Sequence, residues 1–230
     1  SGEALTTGDH NVSIGSQSLK AHTTGSRNIS IGYGSMQGTG GDADDAPASI
    51  DNVFIGHNSG GGDWENDEDS NYNVGIGSYV MDAAMDGALS NVAVGYASLG
   101  AVTTGDSNIG IGTSAGLAIT TGSFNTCIGY QAGDDLTTMT HNTCVGADAL
   151  AGSSLVDQCV VIGSQAATSA LTAAADGTVA VGYAALNVLT SGAGNVAIGF
   201  QAGTALAEGQ QNTVLGYQAF DAGEEDSRCV

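Results

Sequence analysis

The sequence predicts an all-β chain wound as a parallel β-solenoid, a β-roll of twelve 17-residue repeats. Three observations predict it. One phrase, roughly N-V-A-I-G-Y-Q-A-G-x-x-L-T-T-G-x-x, begins at Asn11, Asn28, Asn52, Asn73, Asn91, Asn108, Asn125, Asn142, Cys159, Thr178, Asn195 and Asn212. Its fifth position is glycine in all twelve copies, from Gly15 to Gly216. Its second and fourth positions are aliphatic or threonine, the period-2 signature of a short strand. A unit of 17 residues cannot enclose a core, so each copy must stack on the next, and residues 1–230 read as a single solenoid domain.

Each column of the repeat has a physical reading. The asparagine column suits a side-chain amide ladder along the axis that satisfies backbone groups at a corner. The second and fourth positions, such as Val92 with Val94 and Val196 with Ile198, are expected to face the interior. The third position then points outward: Ser13, Ser30, Phe54, Gly75, Ala93, Gly110, Cys127, Cys144, Val161, Ala180, Ala197 and Val214. None of these twelve is charged although the chain holds 24 acids, so this column is expected to be an oligomer interface buried against another copy.

The invariant glycine marks a corner that needs positive φ or a close backbone approach. The sixth position is often aromatic (Tyr33, Tyr96, Tyr130, Tyr183, Phe200, Tyr217), which predicts rings stacked over apolar surface with wet hydroxyls. The eighth is nearly always serine or alanine, from Ser18 to Ala219, fitting a tight corner or narrow interior. Each coil is expected to hold two strands and two turns, one turn marked by Thr103-Thr104-Gly105 and Thr120-Thr121-Gly122. Stacking at about 4.8 Å per coil gives a rod of roughly 58 Å.

Composition narrows the function. The net charge is −21, with Lys20, Arg27 and Arg228 the only lysine or arginine residues, which argues against nucleic-acid and anionic-membrane partners. There is no apolar run long enough for a membrane span. Extra residues fall early, predicting insertion loops at about 37–51, 58–72 and 79–90. Nine of the 24 acids lie between Asp42 and Asp69. Asp42, Asp44, Asp45, Asp63, Asp67 and Asp69 are candidate calcium ligands, because clustered carboxylates suit hard cations, although their spacing matches no known calcium loop. Trp64, Glu65 and Tyr72 are candidate receptor contacts on the same protrusion.

Catalytic chemistry is not indicated. The four histidines do not line up as a ligand set, no serine–histidine–aspartate arrangement recurs, and no paired carboxylates recur on a strand face as a glycan hydrolase would need. The chain is therefore expected not to be an enzyme and to need no cofactor apart from the calcium option. Cys127 and Cys144 share one offset in adjacent repeats; a disulfide is geometrically conceivable, and two small buried thiols are the favoured reading.

Runs such as Asn125–Gly133 (NTCIGYQAG) and Asn195–Gly203 (NVAIGFQAG) resemble the repeats of phage tail-fibre and related surface-fibre proteins. They are also similar to the N-S-V-A-I-G head repeats of trimeric autotransporter adhesins, whose shorter period makes the fibre group the better match. The resemblance covers nearly the whole chain. It implies a homotrimer of parallel β-rolls, an extracellular or virion-surface location, and attachment to a host receptor or glycan. The chain opens mid-repeat at Ser1 and closes mid-repeat at Val230, which leads us to expect a stretch of a longer fibre or end-to-end stacking. A competing expectation is an ice-binding solenoid, suggested by the threonine pairs at Thr6, Thr23, Thr103, Thr120 and Thr137.

Overall fold

A computed structural model describes residues 1–39, 48–64, 68–153 and 155–221. Twelve parallel strands lie in chain order in one sheet: β1 (Val12–Ile14), β2 (Ile29–Ile31), β3 (Val53–Ile55), β4 (Val74–Ile76), β5 (Val92–Val94), β6 (Ile109–Ile111), β7 (Thr126–Ile128), β8 (Thr143–Val145), β9 (Val160–Ile162), β10 (Val179–Val181), β11 (Val196–Ile198) and β12 (Thr213–Leu215). They pair in strict repeat register, as in Cys127 against Cys144 and Ala180 against Ala197. The chain is thus a β-solenoid of about eleven turns, with one 3-10 turn among the described residues, at Ala173–Ala175.

Among the described residues each coil has one three-residue strand, not the two expected from sequence. Among the described residues the rest of the coil is turn and bend, interrupted by left-handed backbone. The seventh and ninth positions and the position before the asparagine are left-handed in every copy, for example Ala97 (φ 52°), Leu99 (φ 49°) and Ser107 (φ 56°). A left-handed non-glycine residue costs roughly 1–2 kcal/mol. The stack offsets this cost by using their N–H groups between coils: Ala97 donates to the Ser78 carbonyl, Leu99 to Ala115 and Ser107 to Leu89, at 2.9–3.0 Å. The turns are therefore laddered as the strands are.

The fifth-position glycines have φ between 123° and 146°, a region only glycine occupies comfortably. They are also in close register. A Cβ on Gly112 would collide with the Gly129 carbonyl oxygen and sit 2.7 Å from its carbon. At Gly216 the same Cβ would meet nothing nearer than Ala219 at 3.8 Å.

The asparagine ladder forms as expected. Asn125 Nδ2 donates to Asn108 Oδ1 at 3.1 Å and to the Met139 carbonyl at 2.7 Å, while Asn108 Oδ1 also accepts from the Asn125 backbone N–H at 3.0 Å. The pattern runs from Asn11 to the backbone N–H of Cys159. It lapses where cysteine and threonine replace asparagine and returns between Asn195 and Asn212.

The faces of the sheet are the reverse of the expectation. Third-position residues point inward: eleven of the twelve are buried, and Ser13 is half-buried. The second and fourth positions point out, and none of those side chains is buried. The reason is the thinness of the interior. The left-handed ninth position turns Leu99, Leu150 and Leu186 into the space behind the strand, where only small third-position groups fit. A Cβ on Gly110 would lie 2.8 Å from Leu99 Cγ. Where the third position is large, as at Phe54, it is matched by glycines: a Cβ on Gly60 or Gly75 would press on its ring.

Candidate functional surfaces

The third-position column from Ser13 to Val214 is the lining of this chain's own core, so it does not supply the expected subunit interface. What the sheet presents outward is two columns of valine, isoleucine, leucine and threonine. Ile14, Ile76, Ile111, Ile162 and Ile198 are 39–56% exposed and Leu215 is 73% exposed. Twenty-four positions on this face carry no ionisable group in a chain of net charge −21. Sequence reasoning found the columns and assigned them to the wrong side. The inward column is dominated by glycine, alanine, serine and cysteine, which fit the thin space behind the strand.

Beside this face runs the sixth-position aromatic column. Tyr183, Phe200 and Tyr217 stack with centroids 5.2 Å apart and planes within 18°. Tyr183 Oη donates to Gln165 Oε1 at 2.8 Å. Tyr33, Tyr96 and Tyr130 are about half exposed. At the other end, His57 and Tyr79 join Tyr33 and Tyr96 into a continuous run of rings.

In the described part of the acidic insertion, the buried Trp64 departs from expectation. Trp64, a receptor-contact candidate, is fully buried and packs edge-on against Phe54 at 5.8 Å. Its placement follows from local pairing. Gly38 bridges Asp63, the Trp64 N–H donates to the Gly38 carbonyl at 2.8 Å, and alternation sends Asp63 outward and Trp64 inward. Tyr72 is 55% exposed, so it and Trp64 do not form one surface. Glu65 lies outside the described residues, as do the calcium candidates Asp42, Asp44, Asp45 and Asp67. Asp63 and Asp69 are exposed, and Asp69 Oδ1 accepts from the Ala48 N–H at 2.6 Å. Among the described residues no group of three His, Cys, Asp or Glu is placed to hold a metal, and no helix is long and apolar enough to cross a membrane.

Cys127, Cys144 and Cys159 are free and buried. Cys144 has its pKa held above the ordinary thiol range, chiefly by its hydrogen bond with Cys127 and then by burial. Cys159 is pushed to about 11, mainly by burial. Such thiols are weak nucleophiles at neutral pH. Asp134 and Asp82 are held above the usual carboxylate value by partial burial, and Asp134 also by Asp135 and Asp148.

No family model, no curated protein and no solved structure matches this chain.

Proposed function

We propose that this chain is the rod of an extracellular or virion-surface fibre that mediates attachment, assembled as a parallel homotrimer through the outward aliphatic face of positions two and four. The observation that carries the reading is that face. Twelve strands spaced about 4.8 Å make a strip roughly 50 Å long. If each of its side chains presents about 40 Å², the strip offers on the order of 1,000 Å², comparable with the ~800 Å² each partner contributes to a standard interface. Monomeric proteins seldom expose so large an apolar patch. Copies with charge −21 repel one another, so a face without charges is where they could meet. Covalent chemistry has no place in this reading; rigidity and a repeating outer surface do, and an exposed ring run such as Tyr33–His57–Tyr79–Tyr96 supplies contact area for a receptor or glycan.

Sedimentation equilibrium tests the assembly. A native mass near three times 22.6 kDa is expected. Ile111→Asp with Ile198→Asp should return it to the monomer mass with the circular dichroism unchanged. A native chain that is monomeric at micromolar concentration overturns the reading.

The ice-binding alternative draws on Thr104, Thr121 and Thr138, which are exposed on consecutive coils. The array is short, and the neighbouring Thr103 and Thr120 hydroxyls are engaged in donating to the next coil's carbonyl at 3.2–3.3 Å. Absence of thermal hysteresis would remove this alternative.

A further inference from the structure

The twelfth position of the repeat faces the core: Val102, Ile119, Leu136, Leu189 and Leu206 are fully buried there. His22 occupies this same position and is equally buried, with Thr39 one coil further on. His22 Nδ1 lies 2.9 Å from Thr39 Oγ1, and Nε2 lies 3.2 Å from Asn28 Nδ2. The two contacts fix the tautomer. Thr39 Oγ1 donates its own proton to the Met36 carbonyl at 3.0 Å, so it accepts one from Nδ1. The Asn28 amide nitrogen only donates, so Nε2 is a bare acceptor. One hydrogen of that amide goes to the Ser49 carbonyl at 2.8 Å and the other is shared between Nε2 and Asn11 Oδ1 at 3.3 Å, so the imidazole closes directly on a rung of the asparagine ladder. The site has no slack, since a Cβ on Gly25 would collide with Nε2 and with the Ser49 carbonyl.

We propose that His22 is a proton-operated latch on the coils that begin at Asn11 and Asn28: a proton on Nε2 places an N–H against the Asn28 amide N–H₂ and opens those coils, while the coils from Asn91 to Cys159 stay closed. The groups facing the ring are uncharged: Thr39 from the following coil, Asn28 and Gly25 from its own corner. The ionisable neighbours are engaged elsewhere. Asp9 pairs with His10 of the preceding coil, Arg27 pairs with Asp51 of the following one at 2.7 Å, and Lys20 is exposed. Among the described residues no carboxylate compensates an imidazolium at this position. Burial holds the His22 pKa below its ordinary value, outweighing backbone contacts with Thr39 and Gly25 that act the other way. The unfolded coil therefore takes a proton more readily than the folded one. Stability is complete above about pH 6.5 and falls as pH drops below it toward the depressed folded value. A stack that contacts only nearest neighbours confines the opening to these coils.

Hydrogen exchange on the full chain at pH 7.5 and pH 5.0, corrected for intrinsic rates, tests the latch. The amides of Leu19, Ala21, Arg27 and Ile29 should lose protection by up to about 30-fold at pH 5.0, the factor for 1.5 pH units below an ordinary imidazole pKa. Those of Leu99, Gly116 and Gly133 should not change. His22→Leu and His22→Gln should each abolish the acid loss; the second keeps hydrogen-bonding atoms where the first does not fold. A ¹⁵N spectrum of the native histidines should show His22 protonated on Nδ1 at pH 7.5. Acid loss that persists in the variants, or that is equal in all coils, overturns the proposal. Neither result depends on the oligomeric state, which sedimentation reads separately.

Discussion

The coils beginning at Asn11 and Asn28 and those beginning at Asn108 and Asn125 share their corner geometry and differ in what fills it. In the first pair the third and eighth positions are hydroxylic, beside the buried Leu19 and Met36. Ser13 Oγ lies 2.9 Å from Ser18 Oγ, Ser18 Oγ lies 2.8 Å from Ser30 Oγ, Ser30 donates to the Ser35 carbonyl, and Ser35 donates to the Phe54 carbonyl. His22 and Thr39 extend this polar interior. In the second pair the same positions hold Gly110, Ala115, Cys127 and Ala132, with Ile119 and Leu136 at the twelfth position. Corner glycines, left-handed positions and the asparagine ladder are common to both. The coil shape is therefore set by backbone requirements, and the core tolerates either chemistry when volumes match and buried hydroxyls are paired. The two fillings differ in what they bury: only the first holds an imidazole in its core.

The largest contrast should come from truncating the twelfth position. Leu136→Ala removes a fully buried side chain from the central coils and should cost about 2–5 kcal/mol in denaturant unfolding. His22→Leu should change stability at pH 7.5 by less than about 1 kcal/mol, because it restores the column's usual residue and leaves Asn28 its other acceptors. Similar costs at both sites would mean that the polar core tolerates change no better than the apolar one.

Next comes the ladder. Asn125→Ala deprives the Asn142 N–H and the Met139 carbonyl of partners and should cost about 1–3 kcal/mol. Cys159→Ala, where the ladder already lapses and sulfur makes only long contacts at 3.6–3.7 Å, should cost less in the same assay. Ser30→Ala converts a hydroxylic rung to the alanine type found at Ala93, Ala180 and Ala197. It should cost less than about 1 kcal/mol, since Ser18 Oγ keeps the Ser30 carbonyl as acceptor.

The smallest effect belongs to Asp134. Its pKa is raised in the folded coil, so its ionised form is disfavoured there at neutral pH, and that penalty disappears as pH falls through the folded value to below the ordinary 3.8. Asp134→Asn should therefore stabilise slightly at pH 7, by no more than about 0.5 kcal/mol, and the gain should vanish near pH 3 in thermal melts.

Much of this was legible in the residues, and the exceptions have physical causes. The asparagine ladder and the glycine corners followed from recurrence within the chain itself, ten times in twelve for asparagine and in every copy for glycine. The left-handed positions left a trace: no valine, isoleucine or threonine stands at the seventh, ninth or final position of any coil, while the second and fourth positions hold little else. That exclusion also argues against a second strand, because left-handed residues at fixed positions interrupt extended backbone between the corners. Trp64 was misplaced because its acidic sequence neighbours suggest surface, whereas its side chain obeys the alternation set by the Gly38–Asp63 bridge. His22 gave no signal as an isolated histidine; its meaning came from the column it shares with Ile119 and Leu136.

The sequence by itself determined the period, the parallel register and the backbone corners. Each of these is a local demand repeated at fixed spacing: a φ only glycine tolerates, an amide that bonds to its own copy one coil away, a strand too short to pair with anything but its neighbour. The tertiary structure alone decided which side of the strand is inside. Alternation of period two has two equivalent solutions, and local preference does not distinguish them. The choice is made by the thickness left when the opposing turn packs its leucines, and that thickness favours small residues such as Gly110 and Ala93. The valines and isoleucines are thereby left facing out, as the surface through which we expect the chain to meet its own copies.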